Sequence, residues 1–366
     1  MQEIYNIEKV KHLNSMVKRK NKNKNEFGFD IGLALLRPIL AFFVIMTHCY
    51  KYKYAKGLWK LLIIKTEKFF FHVPVFFLMS FYFSEKTLSS SQYTKKIKRL
   101  ERLCIPYFLW PIIIYYLNKL LIKLSITKKV LQMKDLRIQL IYATGKMNMF
   151  SFWYQWELIF ITICFYLIIF IFRKQYTNLF LIIITIISFI YQYNEKNFSY
   201  FAKQLYHRIY IFGRIIEMFP YCVMGFLISY SKIINYFRKN RLVTIITFIY
   251  LLYFFYNYKI FNNIKGCQHQ GLQFFVVSIC IFISFAMFPS ELIKDKTIIK
   301  TVKQITNFTA GIYFIHMNFS EYVSKYIISI KIRTINGCIL IYLMCYLISF
   351  IGSLIFWKTK LLNLFE

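Results

Sequence analysis

Long apolar runs separated by short polar segments make up most of the chain after residue 29. The runs are close to the length, about 20 residues, that a helix needs to cross the hydrocarbon core of a bilayer. This pattern predicts an all-α integral membrane protein in which about ten transmembrane helices form a single bundle. The predicted spans are 31–50, 68–84, 103–124, 152–172, 177–193, 210–230, 242–260, 271–289, 307–327 and 336–357.

Residues 1–29 differ from the rest of the chain because they are polar and contain the basic stretch KRKNKNKN. They lack the apolar core of a signal peptide, so we expect a basic cytoplasmic N-terminal tail followed by one membrane domain over 30–366. The densest basic clusters, at 95–102 and 238–241, then fall in loops on the same side as this tail. Positive charge marks cytoplasmic loops, and the prediction is that both termini lie in the cytoplasm.

Composition agrees with a multi-pass membrane protein, since 58% of the residues are hydrophobic and 21% are aromatic. The chain has 48 Lys and Arg against 15 Asp and Glu, but these charges lie mostly between the apolar runs. Orientation and contact with lipid headgroups account for them there, and we expect no nucleic-acid partner. The eight cysteines have no metal-ligand spacing, and neither a metal site nor a disulfide framework is expected.

The first span carries two ionisable residues, Arg37 and His48. Ionisable groups inside a span are costly and usually face a protein interior or a water-filled cavity. Their spacing returns them to nearly the same helical face, about 16 Å apart along the axis. The pair therefore predicts that this face of the first helix lines a functional site. The alternatives are that Arg37 extends to the interface and that His48 is a packing residue.

A basic stripe precedes the third span. Lys95, Lys98, Arg99 and Arg102 follow an i, i+3, i+4, i+7 pattern, which places them on one face of a helix. Arginine offers paired donors to phosphate, so the stripe suits a polyphosphorylated ligand. The alternative is a positively charged anchor for lipid headgroups.

Other ionisable residues lie within predicted spans, and their roles stay open. Glu157 lies about one turn inside the fourth span and needs a partner or a proton. Arg214 and Glu217 are three residues apart in the sixth span, so they can form a neutral structural pair or take part in catalysis. In the ninth span Tyr313 and His316 share a face, and His316 is either a packing residue or a catalytic one.

Taken together, these segments resemble the acyltransferase-3 family of integral membrane O-acyltransferases, which modify bacterial surface polysaccharides and lipids. The matching pieces occur in the family's order over almost the whole apolar part of the chain. They are LLRPILAFFVIMTH, FHVPVFFLMS, KRLERLCIPY, FWYQWEL, FPYCVMGFLI and TAGIYFIHMNF.

The resemblance implies roles for five residues. Arg37 and His48 match the first-helix arginine and the catalytic histidine of the family. Arg99 and Arg102 match its paired basic residues for acyl-CoA, and His316 matches a recurrent ninth-helix histidine.

The chain also departs from the family pattern at two positions. Phe81 stands where a small glycine often follows the serine of the second span. Pro38 directly follows Arg37 and removes a helical hydrogen bond next to it.

The resemblance implies an acyltransferase of the bacterial cytoplasmic membrane that moves an acyl group, with acetyl the expected case, from acyl-CoA to a sugar hydroxyl. Acyl-CoA, a lipid-linked or polymeric glycan and membrane lipid are the expected partners, and the protein is expected as a homo-oligomer or in a glycan-assembly complex. A neutral imidazole at His48 can act as general base, or it can carry the acyl group. The alternatives are a transporter for a polysaccharide intermediate and a structural partner in polysaccharide assembly.

Overall fold

The computed structural model describes residues 30–48, 71–123, 153–172, 174–194, 199–256, 272–288, 293, 295–309, 311–312, 342–348 and 350–351. All regular structure in these ranges is helical, which confirms the predicted all-α class. The helices are Ile31–His48 (α1), His72–Leu88 (α2), Tyr93–Lys123 (α3), Trp153–Ile171 (α4), Lys174–Asn194 (α5), Ser199–Ser231 (α6), Ile233–Lys239 (α7), Arg241–Tyr256 (α8), Leu272–Ala286 (α9) and Lys296–Asn307 (α10).

Two helical stretches, Tyr93–Leu120 and Tyr154–Ile171, are long and apolar enough by length and composition to cross a membrane. Five shorter apolar helices accompany them: Ile31–Ile45, Tyr176–Gln192, Ile215–Ser231, Leu242–Phe254 and Leu272–Ala286. The predicted count of ten spans stays a prediction. The last two predicted spans, 307–327 and 336–357, lie mostly outside the described residues.

Helix α3 joins two segments that the sequence pattern separates. The basic stripe and the predicted third span form one continuous helix of 31 residues. No glycine interrupts it, and the two prolines inside it, Pro106 and Pro111, remove two N–H donors from its hydrogen bonding without ending it. The basic residues are therefore fixed relative to the apolar part of the same helix.

Helix α2 forms the centre of the bundle and packs against α1, α4, α6 and α9. Its aromatic side chains Phe77 and Phe81 are fully buried. The closest approach is to α6 at Gly225, where a Cβ atom would collide with the backbone carbonyl of Leu78. A glycine is required there because the two backbones leave no room for a side chain.

The outward faces of α5 and α8 are strongly apolar. Isoleucine and leucine side chains on these faces are largely exposed, as is typical of a lipid-facing surface. They are Leu179, Ile182, Ile183, Ile186, Ile187 and Ile190 on α5, and Leu242, Ile245, Ile246, Ile249 and Leu252 on α8.

The first turn of α1 is tied to two other helices. Asp30 caps α1 by accepting a hydrogen bond from the Leu33 N–H at 3.1 Å, and it pairs with Arg238 of α7. Arg238 also donates to the carbonyl of Ala286, the last residue of α9, at 2.9 Å from Nε. Burial raises the pKa of the Asp30 carboxyl, while the Leu33 N–H and Arg238 oppose that shift. Next to this junction Gly32 lies so close to the Phe285 carbonyl that a Cβ atom would collide with it.

Pro38 does not break α1, and the structure gives the reason. Proline has no N–H, so the carbonyl of Ala34, four residues earlier, lacks its usual helical donor. The Thr306 hydroxyl of α10 lies 3.0 Å from this carbonyl and 2.7 Å from the carbonyl of Val302, and shares its proton between them. The gap left by Pro38 is thus filled from a neighbouring helix, one turn before Arg37.

Candidate active site

Arg37 is the charged residue of α1, and its side chain is half-buried. Its guanidinium carbon lies 4.8 Å from the ring centroid of Phe83 on α2. This distance is short enough for a cation–π interaction. Within the described residues Arg37 has neither a hydrogen bond nor an ion pair.

Arg99 of α3 is held much more firmly. Its Nη1 donates to the Ser84 hydroxyl, and its Nη2 lies 3.4 Å from the Ser80 hydroxyl. The Ser84 hydroxyl in turn donates to the carbonyl of Ser80 at 2.6 Å. The guanidinium carbon also lies 5.6 Å from the ring centroid of Phe81. The Nε of Arg99 is buried and has no hydrogen-bond partner in the part of the chain that the structure describes.

The aromatic ring of Phe81 packs against the guanidinium group of Arg99. The ring is fully buried and packs against Phe165 of α4, with 4.6 Å between the ring centroids. The position at which the sequence departs from the family pattern therefore has a structural use in this chain. An aromatic face fills the space and carries the guanidinium of Arg99.

The two arginines converge on α4. Tyr154 lies within electrostatic reach of both guanidinium groups, and its ring packs on Phe77 at 4.7 Å between centroids. Glu157 and the thiol of Cys222 belong to the same electrostatic group around Tyr154. Helices α1, α3, α4 and α6 thus each contribute a polar residue to the electrostatic surroundings of Tyr154, here called the interior centre, which include two guanidinium groups.

The predicted basic stripe is divided by the structure. Lys95, Lys98 and Arg102 are exposed, whereas Arg99 turns inward to Ser84 and Ser80. Arg99 lies at the edge of the arc that the four residues span, and a small rotation of α3 is enough to separate it from the others. Only Arg99 among the four joins Arg37 at the interior centre.

The remaining predicted residues can be placed only in part. His48 is the last residue of α1, which confirms that it shares a continuous helix with Arg37, but its side chain lies outside the described residues. His316 and Tyr313 lie outside them altogether, and so does the side chain of Arg214. Glu157 is only 2% exposed.

Several residues of this centre were not predicted from the sequence. Tyr154 lies in the matching segment FWYQWEL and Ser80 is the serine of the second span, but the sequence assigned no role to either. Ser84 had no signal, because a serine in an apolar span usually bonds to its own helix. Thr306 had a detectable signal. Pro38 requires an outside donor for the Ala34 carbonyl, although the sequence does not say which helix provides it.

The comparisons with known proteins agree with this architecture. A family model described as an acyltransferase domain, acyltransferase 3, matches residues 30–358, which is nearly the whole chain. The comparisons with curated proteins and with solved structures give no match. The predicted family is confirmed: the chain belongs to the acyltransferase-3 family, a membrane-associated family, and is an acyltransferase.

Proposed function

We propose that the protein transfers an acyl group, with acetyl the expected case, from acyl-CoA to a sugar hydroxyl of a surface polysaccharide or its lipid-linked precursor. The observation that carries the proposal is that Arg99, held by Ser84 and Ser80, and Arg37, held against Phe83, both lie within electrostatic range of Tyr154. Two interior guanidinium groups without a described ion pair favour an anionic ligand, because an unpaired buried charge is costly.

Coenzyme A fits this requirement through its phosphate groups. Guanidinium groups bind phosphate oxygens through paired, charge-assisted hydrogen bonds. Arg99 is positioned before a ligand arrives, since Ser84 and Ser80 hold its terminal nitrogens. Arg37 has its donors available from a second direction, on α1. The two side chains can therefore enclose one anionic group.

The same helix connects this anion site to the expected chemistry. Arg37 and His48 share the unbroken helix α1, and their spacing puts them about 16 Å apart on one face. An extended phosphopantetheine arm can cover such a distance and bring the thioester carbonyl to His48. With the N-terminus in the cytoplasm, acyl-CoA approaches from the cytoplasmic side and the acceptor reaches His48 from the opposite side.

The proposed reaction needs one general base. Neutral His48 removes the proton of the acceptor hydroxyl while its oxygen attacks the thioester carbonyl. The carbon–sulfur bond then breaks, the ester forms, and the coenzyme A thiolate takes up a proton. A covalent acyl-histidine followed by transfer to the hydroxyl gives the same products.

The test uses the full chain in lipid nanodiscs with acetyl-CoA and a lipid extract from the host as acceptor. His48→Ala should lower release of free coenzyme A about 10²- to 10⁴-fold, the usual contribution of a general base. Binding of acetyl-CoA and the thermal unfolding midpoint should stay at the wild-type values. The O-acetyl content of the surface polysaccharide should fall in cells that express the variant.

Two results would contradict the proposal. Normal polysaccharide acetylation by His48→Ala, at wild-type protein levels, would remove His48 from the chemistry. Absence of coenzyme A release by the wild-type protein, with polysaccharide acetylation unchanged after deletion of the gene, would favour transport of a polysaccharide intermediate instead.

A further inference from the structure

In the part of the chain that the structure describes, most buried serine and threonine hydroxyls bond to a carbonyl of their own helix. The described spans contain several serines and threonines that donate to the carbonyl four residues earlier, at 2.7–3.0 Å. They are Thr162, Thr185, Ser188, Thr247, Ser278 and Ser284. This arrangement satisfies the hydroxyl at little cost inside a membrane protein.

Thr309 is an exception to this pattern. Its side chain is 5% exposed, and its hydroxyl has no hydrogen-bond partner in the part of the chain that the structure describes. It lies just after α10, in a helical turn in which the Ile312 N–H donates to the Phe308 carbonyl at 3.0 Å. A buried hydroxyl without a partner costs free energy, so a ligand that accepts its proton would recover that cost.

The position of Thr309 follows from the contacts between α10 and α1. Val302 clusters with Ile31 and Ala34, and the Thr306 hydroxyl bonds to the carbonyl of Ala34. Both contacts fall on the first turn of α1, so the end of α10 packs beside the residues that precede Arg37. One turn beyond Thr306 is Thr309, and one turn beyond Ala34 is Arg37. Each residue is therefore within about one helical turn of the hydrogen bond between Thr306 and Ala34.

Arg37 also lies on a side of α1 that Thr309 can approach. The side chains of Leu33, Leu36 and Leu40 pack into the main core with α2, and Ile31 and Ala34 pack against α10. At about 100° per residue, Arg37 projects between these two directions. Its side chain thus lies between the directions of α2 on one flank and α10 on the other.

We propose that the Thr309 hydroxyl binds the same anionic group of the acyl donor that Arg37 binds, an inference that rests on the proposed function. The hydroxyl donates to a phosphate oxygen, and Arg37 supplies the neutralising charge from the facing helix. The buried Nε of Arg99 also has no hydrogen-bond partner among the described residues, so a ligand rich in acceptor oxygens would find a further donor there. Thr309 is then a binding residue of the donor site.

The test is Thr309→Val, which removes the hydroxyl and keeps the shape of the side chain. The apparent KM for acetyl-CoA should rise about 2- to 10-fold, the equivalent of one neutral hydrogen bond, with kcat little changed. Thr309→Ser should restore the wild-type KM because it keeps the hydroxyl. Thr247→Val is the matched control, because Thr247 has similar burial but bonds to the Val243 carbonyl of its own helix.

The outcomes separate this inference from the proposed function. A wild-type KM for Thr309→Val, while Arg37→Ala raises the KM, would show that Thr309 is outside the donor site and leave the proposed function intact. Failure of the wild-type protein to bind acetyl-CoA would instead remove the proposed function, and this inference with it. If Thr309→Val lowers the thermal unfolding midpoint strongly, Thr309→Ala against Thr309→Ser gives the same comparison. Equal KM values for these two would overturn the role of the hydroxyl.

Discussion

The two arginines at the interior centre are held in opposite ways. Arg99 has its side chain fixed, with Ser84 and Ser80 accepting from its terminal nitrogens and the ring of Phe81 beneath it. Arg37 has a cation–π contact with the ring of Phe83, and its guanidinium has no hydrogen bond within the described residues. The guanidinium of Arg99 is therefore positioned by hydrogen bonds within the protein, whereas none of the described residues positions Arg37 in this way.

The backbone shows the reverse distribution. Around Arg37 the main chain of α1 is secured at two points, by the Asp30–Arg238 pair at its start and by the Thr306 hydroxyl at Ala34. These contacts set the depth and rotation of α1 even though a proline interrupts its hydrogen bonding. Under the proposed function, this difference gives the two arginines different roles. Arg99 is a preformed anchor for the anionic group, and Arg37 closes on that group once it is bound.

Alanine substitution of each arginine tests these different roles and should give the largest effects. Arg37→Ala and Arg99→Ala should each raise the apparent KM for acetyl-CoA about 10- to 100-fold, because a hydrogen bond to a charged group contributes about 1.5–3 kcal/mol. Only Arg99→Ala should also lower the thermal unfolding midpoint, since it leaves Ser84 and Ser80 without their donor and removes the contact with Phe81. Steady-state kinetics and thermal unfolding in nanodiscs measure both.

Lysine at the same positions is the control for charge. Arg37→Lys should recover part of the affinity, because lysine keeps the positive charge and its flexible side chain can adjust to the bound anion. Arg99→Lys should recover little, because a single nitrogen cannot reproduce two separate bonds to serine hydroxyls. Equal loss of stability in both alanine variants would refute the proposed difference between the two arginines.

The sequence was sufficient for the helical class and for the placement of Arg37 and His48 on one helix, because both depend on local spacing. It was not sufficient for Arg99, whose separation from Lys95, Lys98 and Arg102 depends on how α3 is rotated against α2. A helical wheel gives angles within one helix but contains no information on the rotation of that helix in the bundle.

The same limit explains the role of Thr306. Because proline has no N–H, the sequence alone predicts that Pro38 leaves the Ala34 carbonyl in need of a donor from outside the helix. The donor itself is 272 residues away along the chain, so only tertiary packing identifies it. The contact between Phe81 and Arg99 also depends on tertiary packing, because it forms only where α2 and α3 meet.

A double-mutant cycle tests whether Thr306 really compensates for Pro38, and its effect should be intermediate. Thr306→Val should lower the free energy of unfolding by about 1–3 kcal/mol, because it leaves the buried Ala34 carbonyl without its donor. In a Pro38→Ala background the new N–H can bond to Ala34, and the same substitution should cost clearly less. Chemical or thermal unfolding of the four variants measures the coupling. Additive costs would show that Thr306 and Pro38 act independently.

The smallest effects should come from the exposed basic residues on α3, and they complete the comparison with Arg99. Lys95, Lys98 and Arg102 are exposed to solvent or headgroups, where a charge contributes little to binding and is screened by salt. Arg102→Gln alone should change the apparent KM for acetyl-CoA less than about threefold.

The triple Gln variant should show a larger change at low salt that disappears at high salt, because these residues attract the anionic donor from a distance. Arg99→Gln should keep its effect at both salt concentrations, since its guanidinium lies inside the bundle against Ser84 and Phe81. If Arg102→Gln raised the apparent KM as much as Arg99→Gln, and did so at high salt as well, the donor phosphates would be bound at the surface. That result would contradict binding at the interior centre.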